Sequence, residues 1–260
     1  MKRLGQHFLI NRGVLKKIVN AIPEKDIDCI IEIGGGHGEL SGEILQERSP
    51  KEFIVIEKDR DLVPVLRKNL PLHGVRVIEG DVRSMLPEIV KSRSPHGTYI
   101  IVGNIPYYLT GYLFRLIGEL EERPVCCIFM IQAEVAGRLA AKAPRMNRLA
   151  AMVQHWADVH VLFKVSRDNF QPKPEVESAV VRLSSLASRK NVDDEAYEKA
   201  VRTIFAQPRK TILNNLISPR QFDREKTSSL LKILNIDAKS RPGDLTVSDI
   251  SEIARHLKHH

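Results

Sequence analysis

Short apolar runs alternate with amphipathic segments along the first half of the chain. The runs at Cys29–Ile33, Phe53–Ile56, Tyr99–Val102 and Val125–Ile131 are rich in β-branched residues and contain no acidic or basic side chain other than Glu32. This composition is typical of strands that are buried on both faces of a parallel sheet. The segments between them place apolar residues three or four positions apart, which predicts helices. The alternation therefore predicts an α/β fold.

The last third of the chain follows a different pattern. Residues 159–165 and 179–183 alternate like late strands, and residues 184–193 then change to Ser, Ala and charged side chains, which indicates a linker. The rest of the chain has apolar residues at helical spacing only. We therefore expect a Rossmann-like domain over residues 1–185 and a small all-helical domain over residues 186–260.

Composition and charge narrow the class of protein. The chain has 260 residues, 43% of them hydrophobic, and a formal net charge of +8. This charge indicates either a polyanionic partner or simply a basic surface. Arg209 and Lys210 adjoin one another in the helical region and suit phosphate contacts.

The cysteines and the longest apolar runs bear on location. Cys29, Cys126 and Cys127 all lie inside apolar runs, and their spacing matches no zinc site. We interpret them as reduced packing residues of a cytoplasmic protein and expect no metal. No run approaches the roughly 18 residues of a membrane helix, so we expect no membrane association.

A glycine turn, Gly34-Gly-Gly-His-Gly38, joins the first predicted strand to a helix. Strand, glycine turn and helix in this order predict a nucleotide-binding fold. A dinucleotide fingerprint would require Gly or Ala at position 39, where this chain has Glu39. Glu32 and Glu39 would repel a pyrophosphate but suit a ligand with an ammonium and a sulfonium group. The turn therefore favours S-adenosylmethionine over NAD, and an NAD-dependent dehydrogenase remains as an alternative.

A polar side chain stands at the end of each of three successive predicted strands. Glu57 follows Gly34 by 23 positions, where an acidic residue reaches the ribose hydroxyls of a bound nucleoside. Asp81 ends the next strand and is placed to accept from the adenine amine of the cofactor. Asn104 ends the strand after it. Because parallel strands end at one edge of a sheet, these three residues describe one ligand groove.

The loop Asn104-Ile105-Pro106-Tyr107 is the candidate for chemistry. Pro106 has no N–H and disfavours helix at Ile105, so the loop is predicted to be rigid and extended. The Asn104 oxygen and a backbone carbonyl beside Pro106 can accept the two N–H bonds of an exocyclic amine, while a tyrosine ring stacks on the base. Phe170, in a loop stiffened by two prolines, can form the second wall of a base pocket.

The order and spacing of these motifs resemble those of a known family, the KsgA-type rRNA adenine N6,N6-dimethyltransferases, over nearly the full length. The resemblance rests on Gly5–Leu9, Glu32–Gly38, Glu57, Gly80-Asp81, Asn104–Tyr107, Gln132–Val135, Phe170–Ser178 and Arg209–Thr211.

The resemblance implies an activity and a set of site residues. The activity is transfer of two methyl groups from S-adenosylmethionine to N6 of each of two adjacent adenosines near the 3′ end of small-subunit rRNA. Asn104, Ile105, Pro106, Tyr107 and Phe170 would form the catalytic pocket, with Tyr107 and Phe170 sandwiching the flipped base. The residues expected to touch the cofactor are His7, Leu9, Gly34, Gly36, Glu57, Asp81 and Asn104.

The resemblance also implies a partner, and two alternatives stay open. The expected partner is small-subunit rRNA in a pre-ribosomal particle, bound by a monomer through its helical domain. Ile105 stands where Leu is usual in the family, and Asn-Ile-Pro also occurs in related enzymes that methylate large-subunit rRNA. The second alternative is a ribosome-assembly factor in which catalysis is secondary.

Overall fold

The structure is a computed structural model that describes residues 6–24, 27–71, 73–93, 97–186, 193–218 and 223–257. Two sequence predictions concern residues outside these ranges. Gly5, in the motif Gly5–Leu9, and residues 187–192 of the predicted linker 184–193 lie outside the described residues.

The chain divides into two compact units. Unit 1 comprises residues 1–136 and 159–185, and unit 2 comprises residues 137–158 and 186–260. The sequence predicts a division at residue 186, and one of the observed boundaries lies there. It does not predict that the internal segment 137–158 packs with the C-terminal helices, so the predicted domain 1–185 is too inclusive at this segment. The chain passes from unit 1 to unit 2 at residue 137, returns to unit 1 at residue 159 and enters unit 2 again at residue 186.

A seven-stranded sheet has the order β4-β3-β2-β5-β6-β9-β7, and a separate two-stranded sheet pairs β1 with β8. The first five strands of that order are parallel, and β9 runs antiparallel to β6. The strands are β1 (Phe8–Leu9), β2 (Cys29–Ile33), β3 (Glu52–Glu57), β4 (Val75–Glu79), β5 (Tyr99–Asn104), β6 (Cys126–Gln132), β7 (Ala157–Val165), β8 (Phe170–Gln171) and β9 (Ser178–Ser185).

The central strands are as apolar as the sequence pattern requires. All five residues of β2 are buried, and so are the last five of β3. Helices follow β2, β3, β4 and β5 in turn, which confirms the predicted Rossmann-like α/β fold. β5 extends beyond the apolar run Tyr99–Val102, because Gly103 and Asn104 continue the strand and pair with β6. A Cβ at Gly103 would lie 2.5 Å from the Ile33 carbonyl oxygen, so glycine is what allows the strand to continue.

The helices of both units follow apolar periodicity in the sequence. None within the described ranges is long and apolar enough to cross a membrane. Three short 3-10 turns lie at Tyr107–Leu109, Arg167–Asn169 and Pro242–Asp244. The helices are α1 (Arg12–Asn20), α2 (Glu39–Glu47), α3 (Val63–Asn69), α4 (Val82–Ser92), α5 (Thr110–Glu119), α6 (Ala133–Leu139), α7 (Arg148–Gln154), α8 (Asp194–Ile204), α9 (Ile212–Ile217), α10 (Arg224–Ile233) and α11 (Val247–Leu257).

Unit 2 has a hydrophobic core of its own. Apolar side chains of α7, α8, α9, α10 and α11 form one buried cluster, in which Tyr197 is the largest side chain. Its hydroxyl donates to the Ala151 carbonyl at 3.1 Å. A capping box begins α11, in which the Asp249 N–H donates to the Thr246 hydroxyl and the Thr246 N–H donates to the Asp249 carboxylate.

Candidate active site

A cavity of about 330 Å³ lies at the carboxyl edge of the parallel strands in unit 1. Its walls include the last residue of β2 and of β3, the residues that follow β4, and the end of β5. This is the edge at which open α/β sheets bind ligands. The cavity brings together all but one of the predicted site residues, namely His7, Gly34, Gly36, Glu57, Asp81, Asn104, Ile105, Pro106, Tyr107 and Phe170.

Leu9 is the predicted cofactor residue that does not line this cavity. It is 5% exposed, belongs to the hydrophobic core, and lines a smaller neighbouring cavity of about 40 Å³. In the two-stranded sheet Leu9 pairs with Phe170 and Phe8 with Gln171. The His7 Nδ1 also bonds the Pro172 carbonyl at 2.8 Å, so this nitrogen carries the proton. The N-terminal arm is therefore fixed to the Phe170 loop.

Asn104 is held in one orientation. Its Nδ2 donates to the His7 carbonyl at 2.8 Å. A carbonyl only accepts, so the nitrogen of the amide must face His7 and Oδ1 remains as an acceptor. The orientation that the predicted chemistry needs is thus imposed by the backbone of the N-terminal arm.

Tyr107 and Phe170 lie in the walls of the same cavity as Asn104. The Tyr107 hydroxyl is 3.4 Å from the Oγ of buried Ser178, and the Tyr107 ring centroid is 6.1 Å from that of His7. Phe170 is 5% exposed and is fixed by its pairing with Leu9. Two aromatic rings and an amide acceptor in one cavity suit a flat base with an exocyclic amine.

Pro106 shapes the loop as the sequence predicts. Its ψ of 134° is extended, and its carbonyl accepts from the Leu109 N–H at 2.9 Å. A carbonyl oxygen has two lone pairs, so one acceptor site remains. Ile105 is buried, and its N–H donates to the Met130 carbonyl at 3.0 Å, which anchors the loop to β6.

The glycine turn leaves room for a ligand, as the predicted S-adenosylmethionine site requires. Gly34 and Gly36 have φ values of 76° and 59°, in the left-handed region that favours glycine. A Cβ at Gly36 would lie 3.1 Å from the Phe8 ring. Side chains at these positions would be strained, and the backbone of the turn is open to the cavity.

Glu57 is buried and points its carboxylate at backbone donors. Its Oε2 accepts from the Gly36 N–H at 3.0 Å and its Oε1 from the Asp59 N–H at 2.8 Å. Each carboxylate oxygen has a further lone pair, so Glu57 can still accept from two hydroxyls. A vicinal diol such as that of ribose matches this arrangement.

Asp81 is part of a charged cluster with Lys58 and Arg83. Its Oδ1 accepts from the Arg83 Nε at 2.9 Å, and Lys58 Nζ lies 3.0 Å from its Oδ2. Asp81 also caps α4 by accepting from the Arg83 backbone N–H. The Arg83 hydrogen bonds are the largest of the effects that hold the pKa of Asp81 well below its usual range. Asp81 therefore stays an acceptor at any physiological pH.

Glu32 and Glu39 do not lie where the sequence reasoning placed them. Neither lines the main cavity, and both line the smaller one. Glu32 is 1% exposed and bonded to the Ser41 hydroxyl. Burial raises the pKa of Glu32 to about 8 despite the Ser41 bond, and the nearby Glu57 and Glu39 add to the effect. Near neutral pH Glu32 is mostly protonated, so it is a weak partner for a cationic ligand.

Lys58, Arg83 and Tyr112 are among the polar residues of the cavity that the sequence does not predict. Lys58 and Arg83 resemble ordinary surface cations in the sequence, although each lies within two positions of a predicted ligand residue. Tyr112 follows Tyr108 by one helical turn and also lines the cavity. Proximity to Glu57 and Asp81 was the only available signal for the two cations.

Within the described ranges, no group of three or more His, Cys, Asp or Glu side chains could hold a metal ion. The three cysteines are buried and free, which agrees with their interpretation as packing residues. Burial raises the pKa of the Cys29 thiol to about 12, so it is no nucleophile.

Comparisons of this chain with family models, with curated sequences and with solved structures agree with one another. A family model described as "Ribosomal RNA adenine dimethylase" matches residues 1–259. A "Ribosomal RNA small subunit methyltransferase A" from Chlorobium phaeobacteroides is 36% identical over 260 residues, covering 99% of this chain and 93% of the relative. The crystal structure of a dimethyladenosine transferase from Plasmodium falciparum is 25% identical with a TM-score of 0.80, covering 97% and 98% of the two chains. The 23S rRNA methyltransferase ErmE has a TM-score of 0.74, covering 96% and 99%, and at 23% identity shows only a shared fold.

Proposed function

The chain belongs to the ribosomal RNA adenine dimethylase family, and we propose that it methylates N6 of two adjacent adenosines near the 3′ end of small-subunit rRNA. It is an S-adenosylmethionine-dependent methyltransferase that forms dimethyladenosine. The fixed orientation of Asn104 is the observation that carries the assignment to this cavity, because it supplies an amide oxygen as an acceptor for an exocyclic amine.

The cofactor end of the cavity matches the groups of a nucleoside. We propose that Glu57 accepts from the ribose hydroxyls and that the backbone of Gly34 and Gly36 lies against the rest of the cofactor. We also propose that Asp81 accepts from the adenine amine once Lys58 gives up its place on Oδ2, because Arg83 and Lys58 together occupy all four acceptor positions of this carboxylate. When bound, S-adenosylmethionine supplies an electrophilic methyl group on its sulfonium. His7 lines the same cavity and ties the arm over this end.

The base end orients a poor nucleophile. The N6 lone pair of adenine is delocalised into the ring, so the site must hold and polarise the amine. Asn104 Oδ1 and a carbonyl beside Pro106 accept its two N–H bonds, while Tyr107 and Phe170 stack on the two faces of the base. As the N–C bond forms, the bond from carbon to sulfur breaks, and N6 releases a proton to water.

The substrate base must leave its stack to enter the cavity. Flipping costs a few kcal/mol and is easiest in a loosely structured loop. Asn104, Tyr107 and Phe170 are fixed before the base arrives, so the flipped base meets an ordered site. The second methyl group requires that the monomethyl amine rotate between the same acceptors.

Unit 2 is the proposed RNA-binding domain. It carries 18 Lys and Arg residues against 11 Asp and Glu residues, a net charge of +7, whereas unit 1 has a net charge of +1. We propose that this charge neutralises phosphates of rRNA in a pre-ribosomal particle. We further propose that the protein acts as a monomer in the cytoplasm.

Two alternatives rank below this assignment. Large-subunit rRNA is not favoured, because the curated relatives are named for the small subunit. An assembly factor without catalysis is not favoured either, because the acceptor and both aromatic walls are in place.

The substrate is tested with purified ribosomal subunits that lack the modification. Each subunit is incubated with the protein and isotopically labelled S-adenosylmethionine, and the label in its rRNA is counted. We expect incorporation into the small subunit only. Incorporation into the large subunit alone would replace the proposed substrate, and none in either would favour the assembly factor.

A further inference from the structure

An exposed aromatic surface leads away from the mouth of the cavity. Tyr108 is 64% exposed and Tyr112 is 39% exposed, and both line the cavity. Tyr108 lies in the 3-10 turn that leads into α5, and Tyr112 lies in the first turn of α5, four positions further along the chain. Large apolar surface left exposed beside a functional cavity is a feature of binding sites.

Two arginines flank these rings. The Arg115 guanidinium lies 5.4 Å from the Tyr112 ring centroid, one turn further along α5. Arg83 approaches from α4, and the hydroxyls of Tyr112 and Tyr108 raise the pKa of Arg83 further, after the main effect of Asp81. We call Arg83, Tyr108, Tyr112 and Arg115 the aromatic platform.

Gly111 leaves the backbone open between the two rings. A Cβ at this position would meet no atom within 4 Å, so no packing contact inside the protein requires glycine. Glycine in an exposed helix costs about 1 kcal/mol relative to alanine. An unhindered backbone next to exposed rings allows a flat ligand to approach closely.

The charges of the platform suit a polyanion. Arg115 has one acidic neighbour, Glu119, at 3.4 Å, and both side chains are about half exposed. In the cluster beside it, Arg83 and Lys58 share the single carboxylate of Asp81, which leaves an excess of one positive charge. Exposed aromatic rings combined with arginines are typical of surfaces that bind single-stranded nucleic acid.

The position of Arg115 favours RNA over the cofactor as the ligand of the platform. Arg115 does not line the cavity, whereas Tyr108 and Tyr112 do. A cofactor inside the cavity would not reach Arg115, but an RNA strand that leaves the cavity along α5 would. Tyr107 faces the cavity interior and its neighbour Tyr108 is mostly in solvent, which matches one flipped base followed by an unflipped nucleotide.

We propose that the aromatic platform binds the single-stranded nucleotide next to the adenosine whose base enters the cavity. One base stacks on Tyr108 and Tyr112, and Arg115 contacts the adjoining phosphate. This inference deepens the proposed function, on which it rests, because it assigns a second subsite to the same RNA.

Binding of a fluorescently labelled, ten-nucleotide single-stranded RNA with two adjacent adenosines tests the inference. Fluorescence anisotropy gives its Kd at saturating S-adenosylhomocysteine for the full chain and its variants. We expect Tyr108→Ala and Tyr112→Ala each to raise this Kd at least about fivefold, because a stacked base is lost. Tyr108→Phe and Tyr112→Phe keep the ring and should stay within about twofold of the wild type.

Two controls separate stacking from other effects. Lys91→Ala removes an exposed charge from α4 outside the platform, and it should weaken RNA binding less than Arg115→Ala does. The Kd of S-adenosylhomocysteine, measured by calorimetry, should equal that of the wild type in Arg115→Ala, which lies outside the cavity lining, and in Tyr108→Ala and Tyr112→Ala it should change less than the RNA Kd does. A normal Kd also shows that these variants are folded.

Every other outcome overturns the inference. Weaker cofactor binding with unchanged RNA binding would mean that the rings cover the cofactor. No change in either Kd, or a wild type that does not bind the oligonucleotide, would leave the platform without an RNA role. Because this readout needs no methyl transfer, a protein that binds through the platform but fails to methylate small subunits would refute only the proposed function.

Discussion

Two buried or partly buried asparagines show how differently the two units use polar groups. In unit 1, Asn104 donates to the His7 carbonyl and keeps its oxygen for the cavity. In unit 2, Asn215 is 1% exposed, and both the oxygen and the nitrogen of its side-chain amide bond to the backbone. Its Oδ1 accepts from the Gln207 N–H, and its Nδ2 donates to the carbonyls of Gln207, Lys210 and Thr211.

The two asparagines therefore differ in what they present. Asn104 offers a hydrogen-bond acceptor to the cavity, whereas Asn215 holds a turn that carries exposed positive charge. Asn104 keeps its Oδ1 as an acceptor toward the cavity, and this is the acceptor that the proposed function assigns to the substrate amine. Asn215 fixes a turn whose exposed residues include Arg209 and Lys210. The net charges of +1 and +7 in the two units agree with this division. Substitution of Asn104 should therefore change catalysis, and substitutions in the turn at residues 207–211 should change RNA affinity.

The largest effect is expected from Asn104→Ala. Loss of one oriented hydrogen-bonding group at a reacting centre costs about 100-fold to 1,000-fold in rate. We expect kcat to fall by at least about 100-fold while rRNA binding is retained. Methyl-transfer kinetics and filter binding on the same preparation check both parts. Weakened rRNA binding would contradict the assignment of Asn104 to the reacting amine.

The next effect concerns the stability of unit 1 as a function of pH. Glu32 has a folded pKa of about 8, above its ordinary value of 4.5, so the folded state holds its proton more tightly than the unfolded state. Its contribution to stability is complete below about pH 4.5 and is lost as the pH rises to about 8, by an amount on the order of a few kcal/mol.

Glu32→Gln tests this effect, because glutamine keeps the shape without titrating. Urea unfolding of wild type and variant at pH 5 and pH 8.5 gives two differences in the free energy of unfolding. We expect the wild type to lose stability relative to the variant at the higher pH. Parallel changes in the two proteins would show that Glu32 is not the titrating group.

A smaller effect is expected from Asn215→Ala. The substitution removes the side chain that bonds the partly buried backbone groups of the 207–211 turn, which costs about 1–3 kcal/mol. We expect a lower free energy of unfolding and weaker rRNA binding, with the Kd of S-adenosylhomocysteine unchanged. Asn214 is the matched control, because it is the exposed neighbour on the same helix, and Asn214→Ala should leave both quantities near wild type.

The smallest effect is expected from the double substitution Arg209→Ala and Lys210→Ala. Each phosphate contact contributes about one unit to the slope of log Kd against log salt concentration. We expect rRNA binding to weaken severalfold at low salt and this slope to fall by about one to two units. A slope equal to that of the wild type would mean that these residues do not contact phosphate.

Much of the fold and site is predictable from the sequence because strand ends are strong local signals. Glu57, Asp81 and Asn104 each follow an apolar run, and parallel strands bring such positions to one edge. The structure places all three in one cavity. Lys58 and Arg83 are not predicted, because a local sequence pattern does not distinguish a cation that pairs with a carboxylate in the cavity from a cation in solvent. Both pair with Asp81.

Long-range pairing accounts for the other differences. Leu9 is drawn into the core by its pairing with Phe170, and no local pattern predicts a contact over that separation. Segment 137–158 joins unit 2 for a similar reason, because its apolar residues pack with α8 and α11 rather than with the adjacent strands. The orientation of Asn104 likewise depends on the distant His7 carbonyl.

The most direct test of the account is the identity of the product in small-subunit rRNA. Unmodified small subunits are incubated with the protein and S-adenosylmethionine, and the rRNA is digested and analysed by mass spectrometry. We expect N6,N6-dimethyladenosine at two adjacent positions near the 3′ end. Methylation of another base, or no product from a protein that binds the cofactor, would contradict it.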